Sequence, residues 1–183
     1  MTEWNYEIVN GRKIRIRPTE LQEVDENGYF HRQDNYFTEG FGAGKNPVEA
    51  GRYHLVWAKL CHWSNRVSIV RELLGLEEVI SINRVTHSAH GKKLGWEFTE
   101  EENHIDPVLD IQFLSEAYYR ADDTYAGRTT VPALIDITSG KVVNNDYHKL
   151  TNYLEVDFKA FHKTNAPDLY PPGLKDEIDA MND

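Results

Sequence analysis

The sequence predicts an α/β domain whose elements follow the order β, α, β, α, β, β, α. Residues 53–58 have the β-branched and aromatic content of a buried strand, and Val67, Val70 and Leu74 then recur at helical spacing. Residues 78–85 form a second strand pattern, so strand, helix and strand follow one another as in a βαβ unit with parallel neighbours. Two short strand patterns further along add an antiparallel hairpin to the same domain.

The N-terminal segment predicts a β-hairpin followed by an irregular stretch. Asn10-Gly11 separates two alternating apolar and polar runs within residues 6–16, and an Asn-Gly pair in this setting is a strong hairpin signal. Residues 18–51 show no repeat, and a long structureless loop in a compact domain is uncommon unless it carries function. We therefore expect aromatic side chains to pin this segment to the domain. These side chains are Phe30, Tyr36, Phe37 and Phe41.

A long excursion and a helix follow the βαβ unit. Residues 86–104 are rich in histidine and glycine and have no regular spacing. Asp106 then offers an N-cap, and Pro107 suits the first position of a helix. The apolar spacing continues from there, and we expect this helix to end near residues 121–122.

The predicted antiparallel hairpin covers residues 133–137 and 141–144, on either side of a Ser-Gly turn. A proline directly before a strand can only occupy its start, and a cis Val131–Pro132 bond would suit a tight turn there. An Asn-Asn pair after the hairpin caps the next helix, whose apolar residues are spaced by three and four.

These elements divide the chain into three parts. We expect an N-terminal hairpin and irregular extension over residues 1–50, the α/β domain over residues 51–164, and a linker with one short helix over residues 165–183. In that last helix Leu174, Ile178 and Met181 share one face. Because a helix of about three turns is marginal alone, it must dock on this domain, on a second copy or on a partner.

Composition limits the partners that the protein can have. The 183 residues carry a formal net charge of −10, so nucleic acid and anionic membrane surfaces would be repelled. No apolar run has the length of a membrane span, and the first residues lack the pattern of a signal peptide. The single cysteine excludes an internal disulfide and agrees with a reducing compartment, so we expect a cytoplasmic protein.

Cys61 lies where the buried strand ends and the first helix begins. The simplest interpretation is a small buried hydrophobe, because free cysteines are among the most buried residue types. Unpaired backbone N–H groups and the helix dipole at such a junction favour a thiolate, and Arg66 and a polar flank lie nearby. Position 64 is serine, so there is no Cys-x-x-Cys pair, and an external thiol would have to resolve any intermediate.

Two other kinds of site have little support. His62, His87, His90 and His104 suggest zinc, but no second cysteine and no suitably spaced acidic ligand accompanies them, so we expect no metal. A Gly-x-Ser-x-Gly elbow is absent, which argues against a hydrolase.

From about residue 47 onward, the sequence resembles the N-terminal part of glutathionyl-hydroquinone reductases, the xi-class glutathione transferases. Several motifs carry the resemblance and occur in the family's order. They are Gly51 to Leu55, Cys61-x-Trp63-x-x-Arg66, Gly95-Trp96, Asp106-Pro107, Tyr125-x-Gly127-Arg128-x-Thr130-Val131-Pro132, Val143-Asn144-Asn145 and Asp168 to Pro171. The resemblance implies a thioredoxin-like domain, which agrees with the order of elements.

The resemblance also implies a reaction and a site. In that family a cysteine attacks the sulfur of a glutathionyl-hydroquinone, and a second glutathione resolves the resulting mixed disulfide. Cys61 would be this nucleophile, and Trp96 corresponds to the family's loop tryptophan. Val131, before the cis-proline Pro132, would offer its backbone to the cysteinyl part of glutathione.

The chain departs from the family at three places. The family's Cys-Pro-Trp-Ala-His-Arg is changed at its second and fifth residues, His62 and Asn65. The family's Glu-Ser pair, which binds the γ-glutamyl end at a helix N-terminus, appears as Asp146-Tyr147. A bulky phenol thus replaces a small hydroxyl, and another low-molecular-weight thiol becomes a second candidate. The family also continues with a helical domain, and residues 165–183 correspond to its linker and the start of its first helix.

Two functions follow from these observations. The first is a thiol-transfer enzyme that takes glutathione and an electrophilic or quinone-type substrate, with Cys61 as nucleophile and Arg66 as electrostatic support. The second is a thioredoxin-like binding module in which Cys61 is structural and the last helix docks on a partner. A homodimer is compatible with either function.

Overall fold

The computed structural model describes residues 4–16, 23–91 and 93–182. In chain order its strands are β1 (Asn5–Val9), β2 (Arg12–Ile16), β3 (Tyr53–Trp57), β4 (Ile80–Arg84), β5 (Thr86–His87), β6 (Trp96–Glu97), β7 (Ala133–Asp136) and β8 (Lys141–Asn144). Its α-helices are α1 (His62–Leu74), α2 (Leu114–Ala121), α3 (Leu150–Val156) and α4 (Lys175–Asn182). Short 3₁₀ turns cover Glu102–His104, Lys159–Phe161 and Pro172–Leu174. Residues 1–3, 17–22, 92 and 183 lie outside the described residues, and the predicted division of the chain into three parts stays a prediction.

Four strands form the central sheet in the order β4-β3-β7-β8. Strand β3 pairs with β4 in parallel and with β7 in antiparallel orientation, and β7 pairs with β8 in antiparallel orientation. The parallel pair is joined through α1, which ends at Gly75 in the left-handed conformation. The predicted order of elements, the βαβ unit and the hairpin are therefore confirmed.

Alternate residues of β3 face opposite sides of the sheet, as the pleat requires. Leu55 packs with Val67 of α1 and Leu150 of α3 in one apolar cluster. Val56 packs with Ala117 of α2 in a second cluster on the other side. The sheet is thus covered on both faces, and the carboxyl end of β3 opens toward the start of α1, where Cys61 lies.

The start of α2 differs from the prediction. Asp106 and Pro107 begin a turn rather than the helix, and this turn ends where Asp110 adopts a positive φ of 50°. The helix begins only at Leu114, where the Glu116 carboxylate accepts the backbone N–H groups of the two preceding residues. The cap is therefore inside the predicted helix, and only the predicted end near residue 121 is correct.

The N-terminal hairpin is present, with Asn10 and Gly11 both at positive φ. Its register places Ile14 on the side that packs against the protein, whereas Ile8, opposite Lys13, points outward and is 71% exposed. One face of the hairpin therefore retains exposed apolar surface.

Residues 23–50 are largely irregular, as the sequence indicates. Phe41 is buried beside the ring of Tyr53, and Phe37 packs on the cluster around α2, so these two aromatics pin the segment as expected. Tyr36 also pins the segment although its ring is exposed, because the ring lies 5.2 Å from that of Tyr125 and the hydroxyl donates to Asp122 at 2.6 Å. Phe30 is exposed. The extension is held elsewhere by polar contacts that the sequence pattern does not reveal.

The C-terminal helix α4 follows a 3₁₀ turn that opens at Pro172, as predicted. Leu174 and Met181 are exposed, and Asp179 accepts a hydrogen bond from the Tyr170 hydroxyl. Docking of this apolar stripe on a second copy or partner stays a prediction. Among the described residues, the structure contains no helix long and apolar enough to span a bilayer.

Candidate active site

Cys61 occupies the N-cap position of α1, at the end of the loop that leaves β3. Its backbone is extended, with φ −95° and ψ 115°, and its carbonyl accepts the Asn65 N–H at 3.0 Å to begin the helix. The thiol is half-buried and faces the carbonyl oxygen of Val131, with Sγ 3.6 Å from that atom. The thiol therefore lies where the helix dipole favours an anion, as the sequence predicts for this junction.

The Val131–Pro132 peptide bond is cis, as the sequence predicted. Pro132 directly precedes β7, and Val131 is buried with its carbonyl turned toward Cys61. Strand β7 lies next to β3 in the sheet, so the backbone brings residues 61 and 131 together across a large separation in sequence.

An open cleft of about 330 Å³ lies over the thiol. It is lined by Arg32, Leu60, Cys61, His62, Trp63, His87, Trp96, Arg128, Thr130 and Val131. The structure thus brings three of the predicted site residues, Cys61, Trp96 and Val131, to one cleft. Among the described residues, no group of histidine, cysteine and carboxylate side chains is placed to hold a metal ion.

Trp96 reaches the cleft through a small hairpin in the excursion after β4. Its ring stacks on His87 at a centroid distance of 4.2 Å and an interplanar angle of 17°, across the β5–β6 pair. The next residue, Glu97, is buried and accepts hydrogen bonds from His104 at 2.8 Å and Gln112 at 2.9 Å. Burial acts to raise the pKa of Glu97, but these hydrogen bonds hold it below its ordinary value. The strand that carries Trp96 is therefore anchored by an ionised carboxylate.

Asp146 does not line the cleft. Its buried carboxylate accepts the backbone N–H groups of His148 at 3.1 Å and Lys149 at 3.2 Å, and the amide of Asn35 at 3.2 Å. These contacts close the turn that leads into α3 and fasten the N-terminal segment to it. One oxygen of the predicted ligand-binding carboxylate, Oδ1, is therefore engaged within the chain, and the role of Asp146 toward a thiol stays a prediction.

Tyr147 also lies outside the cleft wall. Its ring stacks on Trp63 at a centroid distance of 4.3 Å and an interplanar angle of 28°. The guanidinium of Arg32 lies 5.0 Å from the Trp63 ring centre and 5.5 Å from that of Tyr147. These three side chains, which we call the Arg32 stack, fill the space between the start of α1 and the start of α3.

Arg66 lies on the inner side of the same region. Its guanidinium donates hydrogen bonds to the backbone carbonyls of Tyr147 and, at 3.2 Å, of His148. These bonds tie α1 to the turn before α3. The predicted electrostatic support of Cys61 by Arg66 stays a prediction, while the observed contacts give Arg66 a positioning role.

The cleft is also lined by residues that were not predicted from the sequence as site residues. Arg32 comes from the irregular N-terminal segment, where no periodicity signals its position. Gln33 holds this segment in place, because its amide oxygen accepts the Arg128 N–H at 2.6 Å and its amide nitrogen donates to the Arg128 carbonyl at 2.9 Å. Arg128 and Thr130 lie inside a matched motif, so the signal that could have identified them was present.

Comparisons with known proteins agree with this geometry, although no model of a protein family matches the chain. The chain is 35% identical over 158 residues to the glutathionyl-hydroquinone reductase PcpF of Sphingobium chlorophenolicum. The matched region covers 85% of this chain and 49% of PcpF. The Xi glutathione S-transferase of Phanerochaete chrysosporium superposes with a TM-score of 0.74 and 31% identity, over 84% of this chain and 53% of that one. The chain belongs to the glutathionyl-hydroquinone reductase family, the Xi class of glutathione transferases.

A further member of the glutathionyl-hydroquinone reductase family has been solved with glutathione bound. This is YqjG of Escherichia coli K-12, a glutathione transferase homologue with a TM-score of 0.69 and 31% identity, over 80% of this chain and 50% of YqjG. The present chain thus spans about half the length of the relatives that it matches. Its α/β domain has the thioredoxin-like fold of a glutathione transferase N-terminal domain.

Proposed function

We propose that this chain carries the thiol-transfer site of a glutathionyl-hydroquinone reductase, with Cys61 as nucleophile and glutathione as the thiol. The single observation that carries the proposal is the half-buried Cys61 thiol at the N-terminus of α1, facing the Val131 carbonyl and open to a cleft. The helix N-terminus favours the thiolate that a nucleophile requires.

The bonds and the proton of this reaction are balanced with Cys61 as the only protein thiol. The Cys61 thiolate attacks the sulfur of the glutathionyl-hydroquinone, so an S–S bond forms while the bond between sulfur and the ring carbon breaks. The ring carbon takes up a proton and leaves as hydroquinone. A second glutathione then attacks the mixed disulfide, which releases glutathione disulfide and restores the thiolate.

The charges in the cleft suit glutathione, which carries two carboxylates. Arg32 and Arg128 both line the cleft, although the chain as a whole has a net charge of −10. Trp96 offers a flat apolar wall beside the thiol, and in this proposal the backbone of Val131, which also lines the cleft, pairs with the cysteinyl part of glutathione. A reducing compartment, as expected for the cytoplasm, would keep Cys61 available as a thiol.

The test joins thiol binding to the state of Cys61. We expect Cys61 to react with iodoacetamide at mildly acidic pH far faster than free cysteine, and to form an adduct with glutathione disulfide that mass spectrometry locates on residue 61. Several biological thiols should be titrated in parallel to rank glutathione among them. Alkylation at the rate of free cysteine would contradict the nucleophile, and a clear preference for another thiol would contradict glutathione.

A further inference from the structure

A second cavity, of about 420 Å³, adjoins the cleft over Cys61. His87, Trp96 and Arg128 line both spaces, so the stacked His87–Trp96 pair forms a wall common to the two. We call the larger space the side cavity. Cys61 lines the cleft and not the side cavity, which is therefore a candidate site for a ligand other than the substrates of Cys61.

Apolar and aromatic side chains form most of the wall of the side cavity. Val24 and Phe30 come from the N-terminal segment, Leu94 from the loop before β6, and Tyr119 from α2. A volume of this size lies within the range of natural sites for small molecules, which is roughly 300–1,000 Å³. The side cavity therefore has the space and the surface to hold the apolar body of a small ligand.

Two buried side chains in this wall present a polar atom without a hydrogen-bond partner. Ser115 is only 2% exposed, and its Oγ makes no hydrogen bond with any described residue. Glu23 is 8% exposed, and one carboxylate oxygen pairs with Arg128, whereas Oε1 makes no hydrogen bond within the described part of the chain. Buried polar atoms are nearly always paired, so these two atoms indicate a ligand that would pair with them.

The charges around these two atoms favour a neutral ligand. The Glu23 carboxylate is balanced by the Arg128 guanidinium, and Lys93 adds a further positive charge to the wall. A cation would therefore gain no net countercharge in the side cavity, and an anion would be repelled by the unpaired Glu23 oxygen. Because burial of an uncompensated charge is costly, we expect the ligand to be uncharged and to supply its own hydrogen-bond donor.

We propose that the side cavity binds a neutral carboxamide with an apolar body. An ionised Glu23 can only accept a hydrogen bond, whereas the Ser115 hydroxyl can donate one. An amide carries its N–H donor and its carbonyl acceptor on two separate atoms, so it serves both side chains, although they come from different parts of the chain. A ligand hydroxyl would have to reach both with a single oxygen. Such a carboxamide is distinct from the thiol and from the electrophile that Cys61 takes in the function proposed above.

Fluorine NMR of three probes that share one ring tests the class of ligand. 4-Fluorobenzamide carries the amide, 4-fluorobenzyl alcohol carries only a hydroxyl, and methyl 4-fluorobenzoate has no hydrogen-bond donor. With the full chain we expect saturable binding of the amide, binding of the alcohol that is about 10-fold weaker, as for the loss of one hydrogen bond, and no binding of the ester. Absence of amide binding, or an alcohol or ester that binds as tightly as the amide, overturns the inference.

Competition separates the side cavity from the cleft over Cys61. S-Methylglutathione, an unreactive ligand for the cleft, should not displace 4-fluorobenzamide. Displacement would place the amide in the cleft and overturn the inference. If S-methylglutathione does not bind at all, glutathione is wrong as the thiol of the proposed function, and the variants below still decide where the amide binds.

Two variants and one control locate the site. Val24 is 53% exposed, so Val24→Trp can fill the side cavity from its rim with little risk to folding, and we expect 4-fluorobenzamide to bind about 10-fold more weakly. Ile8→Trp places the same side chain on the exposed face of the N-terminal hairpin and should leave binding unchanged. Ser115→Ala removes the donor to the amide carbonyl and should weaken binding severalfold, which decides the matter alone if circular dichroism shows that Val24→Trp fails to fold. Unchanged amide binding in Ser115→Ala, or in a folded Val24→Trp variant, overturns the inference.

Discussion

The cleft over Cys61 and the α3 region beside it are the two ends of one surface, joined by Trp63 and Arg32, and they are built in different ways. At one end, the backbone sets the geometry: Cys61 is the N-cap of α1, and its Sγ lies 3.6 Å from the backbone carbonyl oxygen of Val131. At the other end, side chains decide the outcome, because Asp146 closes a turn and Tyr147 stacks on Trp63. The Cys61 end therefore follows from the fold, whereas the end near α3 depends on which side chains occupy it.

This difference matters for substrate choice. The Cys61 end, whose geometry is set by the backbone, keeps that geometry when the surrounding side chains change. It therefore suits the thiol-exchange step that all members of a family share. The end near α3, whose shape is set by side chains, can be closed or opened by one substitution. Related proteins can therefore come to prefer different thiols through changes there. The following substitutions test this division, beginning with the largest expected effect.

Replacing Cys61, the proposed nucleophile, should abolish the proposed reaction. Cys61→Ser keeps the size of the side chain but removes the thiolate, so we expect no mixed disulfide and a fall in turnover of about 10³-fold or more. Turnover of a glutathionyl-hydroquinone and mass spectrometry of the protein measure the two effects, with the melting temperature as a control for folding. Turnover within 10-fold of the parent protein would show that another group attacks the sulfur.

The Cys61 end could be predicted from the sequence more easily than the α3 end. The strand-to-helix junction at Cys61 and the cis peptide before Pro132 were predictable, because propensity, spacing and turn chemistry act locally. The start of α2 was placed too early, since Asp106 caps a turn that has the same sequence signature as a helix start. A local signature cannot show how many residues continue beyond the first turn.

The other end could not be predicted in the same way. The identity of Tyr147 was noted from the sequence, but its stacking on Trp63 depends on the angle between α1 and α3. Arg32 reaches both rings from a segment without periodicity, held by hydrogen bonds between Gln33 and Arg128. Such contacts join distant parts of the chain and leave no repeat in the sequence.

Loss of the Arg66 side chain should loosen the α3 end and destabilise the domain. Arg66→Met keeps much of the apolar length but removes two charge-assisted hydrogen bonds to the carbonyls of residues 147 and 148, which costs about 2 kcal/mol in the free energy of unfolding. Urea denaturation measures this change. Arg66→Lys is the matched control, because it keeps the positive charge. If Cys61 is alkylated more slowly in the Met variant but at the parent rate in an equally destabilised Lys variant, the charge supports the thiolate, contrary to a purely positioning role.

Opening the Arg32 stack should improve glutathione binding. Tyr147→Ser removes the ring that fills the space beside Trp63, and we expect the dissociation constant of S-methylglutathione to fall about 10-fold, or about 1.4 kcal/mol. Tyr147→Phe retains the stacked ring and should bind like the parent protein. Calorimetry with this unreactive ligand separates binding from chemistry. Equal affinities of the Ser and Phe variants would mean that the stack does not limit access to the cleft.

The smallest expected effect concerns the Asp146 carboxylate. Its oxygen accepts two backbone N–H groups at the turn before α3, so Asp146→Ala should lower the free energy of unfolding by about 1 kcal/mol, as for the loss of a helix cap. Asp146→Asn keeps an acceptor oxygen and should retain most of the stability. If the Asn variant instead matches Ala in stability, the charge rather than the acceptor holds the turn. If both variants keep full stability but lose glutathione binding, Asp146 acts on the ligand, and the α3 end is more open in solution than its contacts indicate.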